Sequence, residues 1–198
     1  MTLMRIFLII LLATGPAFGQ SLPDRYMVTN VADDDVLNIR AEPNASSPKI
    51  GELHPYTLNV EVLRTSNGWG YIGAGERSGW VSMNYLAPNA LPVGEIPRPL
   101  SCSGTEPFWD VTFYPRGTDF NAMGEERRPL TILRESVASN GFVIDTQDEQ
   151  SIIRTMIISG LACNDGMFDS DFGMTISMFT ETPNGNSVNT GCCTMQVN

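Results

Sequence analysis

Three Asn-Gly pairs, Asn67-Gly68, Asn140-Gly141 and Asn184-Gly185, stand between short segments in which apolar and polar residues alternate. The tightest hairpin turn needs positive φ at both central residues, which Asn and Gly tolerate best, so each pair marks a reversal between antiparallel strands. The flanking segments have the period of two that a half-buried strand requires. Leu37 and Ile39 share one face, and Leu58, Val60 and Val62 share another. Trp109, Val111 and Phe113 alternate with Asp110, Thr112 and Tyr114, and Met174, Ile176 and Met178 line a further face. Leu130 and Ile132 begin another strand, and Ile152–Ile158 reads as an apolar, β-branched strand interrupted by Arg154. Glycine and proline bracket the one helical candidate, 119–128. The expected fold is all-β.

The first residues are set aside as a targeting segment. Arg5 precedes an apolar run, Ile6–Ala13, that is too short to span a bilayer, and Ala17 and Gly19 are small residues placed for a signal peptidase. Residues 1–19 are therefore expected to be a signal peptide, cut after Gly19, and the protein is expected in the periplasm or outside the cell. No stable membrane insertion is expected once the segment is removed. Five short strands between Tyr26 and Leu86 predict a small barrel over 26–87. Pro88, Pro92, Pro97 and Pro99 stiffen residues 88–99 into a linker, and an all-β second domain follows over 100–198.

Twelve Lys and Arg against twenty-two Asp and Glu leave a net charge of −10, and the basic residues form no patch. Nucleic acid, which is held through its phosphates, is thereby excluded as an expected partner. All four cysteines, Cys102, Cys163, Cys192 and Cys193, lie in the second half. An even count in an exported chain predicts two disulfides. Neighbours on a strand point to opposite faces, so Cys192 and Cys193 are expected to pair with Cys102 and Cys163, in either order.

Leu37-Asn38-Ile39-Arg40-Ala41-Glu42-Pro43, Ile50-Gly51-Glu52-Leu53, Trp69, Gly79-Trp80-Val81 and Tyr85-Leu86 follow one another at a distinctive spacing. In this order the first domain resembles the bacterial SH3 (SH3b) family, except that His54-Pro55-Tyr56 stands where the family commonly has a glycine turn. The resemblance implies an SH3-like barrel that binds or targets, often toward cell-wall material or peptides. The second domain resembles a family of uncharacterised bacterial envelope proteins, through Cys102-Ser103-Gly104-Thr105-Glu106-Pro107-Phe108-Trp109, Cys163-Asn164-Asp165-Gly166-Met167 and Gly191-Cys192-Cys193. That resemblance implies a β-domain stapled by its cysteines.

Tyr56, Trp69 and Tyr71 are the candidate ligand-binding residues, because aromatic grooves suit both extended peptides and sugars. Trp80, between Gly79 and Val81, is expected in the core. His54, the single histidine, is expected on a surface loop, and Asp33-Asp34-Asp35 as solvated charge. Asp165, Asp169 and Asp171, with Gly166 and Gly173, form the best metal candidate. Their spacing does not match an EF-hand and no glutamate closes the loop, so a disulfide-anchored acidic turn is expected, with no cofactor. Glu106 beside Phe108 and Trp109 could act as an acid, but Asp110 would sit ~13 Å away along a strand, too far for a glycosidase pair. A structural Glu106 paired with Arg154 is expected instead. The second domain has no histidine for a Cys–His pair, and no Gly-x-Ser-x-Gly elbow or phosphate loop occurs.

The expected function is a non-enzymatic binding or targeting protein whose first domain recognises cell-wall peptide or glycan, or an envelope protein. The alternatives are an envelope enzyme with its site at Glu106 or the 165–171 loop, and an inhibitor or chaperone-like partner of another envelope protein.

Overall fold

The computed structural model describes residues 23–89, 95–167 and 169–195. The expected signal peptide lies outside them, as does the middle of the expected linker. The fold is all-β, with one 3-10 turn among the described residues, at Met83–Tyr85. Among the described residues no helix is long and apolar enough to cross a membrane.

Among the described residues the first sheet has seven strands rather than five. They are β1 (Asp24–Val28), β2 (Leu37–Arg40), β3 (Lys49–Leu53), β4 (Val60–Ser66), β5 (Trp69–Ala74), β6 (Arg77–Ser82) and β7 (Leu86–Pro88). The sheet runs β3-β2-β6-β5-β4-β1-β7. The two extra strands are those that composition hides. In β1, Asp24 and Arg25 make the start look like a polar lead, yet Tyr26 and Val28 are buried. The 3-10 turn separates β6 from β7, and Leu86 then re-enters the core on a strand paired with β1. Leu37, Ile39, Val60, Val62, Ile72 and Val81 make up the centre of this core. Leu58 does not join Val60 and Val62: Asn59 takes φ 59° and breaks the strand, leaving Leu58 exposed.

The second sheet contains β8 (Leu100–Thr105), β9 (Phe108–Phe113), β10 (Thr118–Ala122), β11 (Arg128–Pro129), β12 (Thr131–Ala138), β13 (Gly141–Gln147), β14 (Ile153–Ser159), β15 (Met174–Thr182) and β16 (Gly185–Thr194). Every two strands consecutive in sequence pair antiparallel except β11 and β12, and β16 returns to pair with β8. β11 pairs with β10, and the chain runs straight on through Leu130 into β12, which pairs with β13. The sheet thus closes into a nearly complete barrel of eight chain segments, and closure removes the exposed edges that an open sheet would offer.

The hairpin signals are realised. Asn67 and Gly68 take φ 49° and 80°, and the Asn140-Gly141 and Asn184-Gly185 turns join β12 to β13 and β15 to β16. Adjacent Cys192 and Cys193 face opposite sides of β16. Cys193 bonds to Cys102 directly across the strand pair inside the barrel. Cys192 bonds to Cys163 and ties the 160–173 segment to the outer surface.

Candidate functional site

On β5 the alternation places Gly70 and Ile72 inside, and Trp69 and Tyr71 on the outer face. Trp69 borders a cleft of about 590 Å3 with Val31, Asn38, Arg40, Asn84 and Tyr85. Its lining mixes apolar side chains with the Asn38 and Asn84 amides, the Arg40 guanidinium and the Asp35 carboxylate. Arg40 donates to the Ser47 carbonyl at 2.9 Å, which ties the loop after β2 to the rim. A Cβ at Gly70 would come within 2.6 Å of Met83 Sδ, so that flexible side chain packs directly over the glycine.

Tyr71 lies apart from this cleft. Its ring is 5.0 Å from that of Trp80, and the Arg64 guanidinium stacks over it at 3.5 Å. Trp80 is therefore not a core residue. Gly79 and Val81 are the buried positions of β6, and the period of two turns Trp80 outward, where Tyr71 and Arg64 shield it. Tyr56 is 64% exposed and takes φ 61°, and its hydroxyl donates to Asp33 Oδ1 at 3.0 Å. The left-handed turn that glycine would normally make is kept, with a tyrosine in it. Tyr56, Trp69 and Tyr71 are thus three separate features rather than one groove, and Trp69 alone of them borders the cleft.

The 163–173 loop docks on the first barrel. The Ser78 amide donates to the Asp169 carbonyl at 3.0 Å, and the Asp171 amide donates to Ser78 Oγ at 2.8 Å. The Asp171 carboxylate faces Arg64 at 3.7 Å, while the Asp165 side chain accepts from the Met167 amide. These acids bind the loop to itself and to its neighbour. Among the described residues no cluster of three or more His, Cys, Asp or Glu is placed to hold a metal ion.

Glu61 sits in the same seam. It alternates with Val60 and Val62 and so leaves the barrel core, yet it is buried against the second domain. Its Oε2 accepts from Thr194 Oγ1 at 2.5 Å, and Pro23 and Gly173 crowd its surroundings. Burial pushes its carboxyl up to about 7, against the opposing pull of the Thr194 hydroxyl and nearby backbone amides. No sequence pattern marks such a residue, because Gly173 and Thr194, which help to bury it, lie more than 110 residues along the chain.

Inside the second barrel a cavity of about 780 Å3 lies between Trp109, Phe120, Arg154, Met178, Thr180 and Asn189. Arg154 does not interrupt its strand. It points inward in phase with Met156 and Ile158, stacks on Phe120 at 4.3 Å, and donates to Asp148 Oδ2 at 3.0 Å. Glu106, the partner expected for it, is exposed in the turn between β8 and β9. Burial works to raise the Asp148 carboxyl, but the Ile152 amide, the Arg154 side chain and the Gln150 amide together hold it below its usual range. The arginine inside an apolar run was the available signal for this site. Asp110 pairs with Arg127 and Asn121, and does not face Glu106 as a second carboxylate would.

A curled antiparallel sheet with a cleft beside an outward tryptophan defines the first domain as an SH3-like barrel. Residues 35–87 match the family described as bacterial SH3 domain, a bacterial binding module that often binds cell walls. No curated protein and no solved structure matches the chain. The two disulfides and the bacterial SH3 match are compatible with a protein that works outside the cytoplasm.

Proposed function

We propose that this is an exported, non-enzymatic protein that binds the peptide portion of the bacterial cell wall through the first barrel, in the cleft beside Trp69. The observation that carries this reading is the cleft itself, within a segment that matches a bacterial binding module. An extended peptide has apolar side chains for Trp69, Val31 and Tyr85. Its carbonyl and carboxylate oxygens suit the Asn38, Asn84 and Arg40 donors. Half-buried Trp69 offers a large rigid surface at little cost in conformational freedom. The second domain, docked through its disulfide-anchored loop, holds the first at a fixed orientation.

The test is co-sedimentation of the chain from Gln20 onward with purified cell-wall sacculi. The protein should pellet with them, and Trp69→Ala should lose most of that binding while keeping a folded circular-dichroism spectrum. A protein that stays in the supernatant, or a Trp69→Ala variant that pellets equally well, contradicts the reading.

A further inference from the structure

Each barrel has its own buried apolar cluster, and among the described residues none belongs to both. What joins the barrels is polar. The Ser78 amide donates to the Asp169 carbonyl, and the Asp171 amide donates to Ser78 Oγ. Arg64 reaches the Asp171 carboxylate at 3.7 Å, but both side chains meet solvent and such a pair holds weakly. Domains of one chain that meet through a polar seam, without a shared apolar core, are free to move relative to one another unless something fixes them. In such a seam the group that is most costly to bury has the greatest leverage.

Glu61 is that group. The alternation of β4 turns it out of the first barrel's core, and Thr194 and Gly173 of the second domain cover it. Oε2 accepts from Thr194 Oγ1, while Oε1 lies against Gly173 with no hydrogen-bond partner of good geometry. A buried carboxylate needs a cation or several donors to replace its water. The charged groups around it are directed elsewhere. Arg25, opposite Glu61 on β1, donates through Nε to the Asn89 carbonyl at 2.7 Å and has Asp24 beside it. Arg64, on the same strand, faces Asp171 and stacks on Tyr71. Asp169 lies beside Arg77, and β16 has no charged residue. The docked arrangement therefore suits a protonated Glu61, and burial keeps its proton on up to about pH 7. On the outer face of an undocked first barrel the same carboxyl would ionise at its ordinary 4.5.

We propose that the seam is a proton-operated clasp: the second barrel is held on the first while Glu61 is protonated, and ionisation of Glu61 lets the two barrels separate without unfolding. The clasp governs how the Trp69 cleft is oriented and leaves the lining of that cleft unchanged, so it is tested apart from cell-wall binding.

The experiment is hydrogen exchange of the full chain from Gln20 onward, followed by NMR between pH 5 and 8, with protection corrected for the intrinsic pH dependence of exchange. The Ser78 amide reports the seam, and the Ile72 and Ile158 amides, each on a strand paired on both sides, report the two barrels. Ser78 should be less protected than both at every pH. Its protection should fall about tenfold per pH unit between 5 and 7 and level off above. In Glu61→Gln, which cannot ionise, it should stay level. Gly173→Ala, whose methyl group would meet Pro23 and Glu61, should lower Ser78 protection even at pH 5. If Glu61→Gln does not fold, the Glu61 side-chain carboxyl carbon of the native protein decides, because its titration midpoint should coincide with the pH at which Ser78 protection levels off. Ser78 protection equal to that of Ile72 and Ile158 would mean that the seam opens only on unfolding, and overturns the proposal. A pH profile unchanged in Glu61→Gln, or a Glu61 carboxyl that titrates near 4.5 in the native protein, does so as well.

Discussion

Glu61 is a carboxyl group enclosed by two domains, with a hydroxyl as its hydrogen-bonding side-chain partner. Its folded value of about 7 lies above the ordinary 4.5, so the folded state binds the proton more tightly than the unfolded chain does. The resulting stability is complete below about pH 4.5 and is lost as pH rises through 7. Of the other charged groups in the seam, Arg64 and Asp171 face one another, and Asp169 lies beside Arg77. Between pH 4.5 and 7 the stability of the native protein relative to Glu61→Gln should fall by about 3 kcal/mol. Urea unfolding at the two pH values measures it, and parallel profiles for the two proteins contradict the assignment. Gly104 makes a second residue-scale case. Gly104→Ala would press a methyl group on both the Trp109 indole and the Thr190 carbonyl. It should cost about 1–3 kcal/mol in the same urea assay, whereas Gly68→Ala meets no neighbouring atom and suffers only from its positive φ.

At the scale of elements, β16 carries the second domain's construction. Its two cysteines hold the barrel interior to β8 on one side and the 163–173 loop on the other. Removing the outer bridge as Cys163→Ser with Cys192→Ser should cost about 2–5 kcal/mol and lower the melting temperature by about 8 °C or more. Because this loop accepts the Ser78 amide, that amide should also exchange faster with solvent, which hydrogen exchange would register. An unchanged melting temperature would mean that the bridge is incidental. The strands were largely legible in the sequence because alternation and Asn-Gly turns are local signals. Closure was not: β11 pairs only two residues with β10, and the continuity through Leu130 that joins the sheet's ends leaves no periodic trace. Trp80 shows the same limit. Alternation says that two faces exist, but which face is the core depends on the strands alongside, and Val81 rather than Trp80 turned inward.

At the scale of the molecule, two β-barrels share a polar seam, with Thr194 on Glu61, Asp169 and Asp171 on Ser78, and Asp171 facing Arg64. Arg64 also covers Tyr71, so that aromatic belongs to the seam and leaves Trp69 as the aromatic wall of the first barrel's cleft. The sequence marked Trp69, Tyr71 and Tyr56 by residue type alone, and type does not say which of them converge. Arg64→Ala should uncover Tyr71 without weakening sacculus binding, whereas a loss equal to that of Trp69→Ala would move the binding surface to the seam. The central claim is that Trp69 meets cell-wall peptide directly. Its most direct test is titration of 15N-labelled protein with a soluble muropeptide. The account predicts a saturable shift of the Trp69 indole resonance and of the amides of Asn38 and Asn84, with the Trp80 indole unmoved. A titration in which Trp69 stays in place while the seam residues shift, or in which nothing shifts, would contradict it.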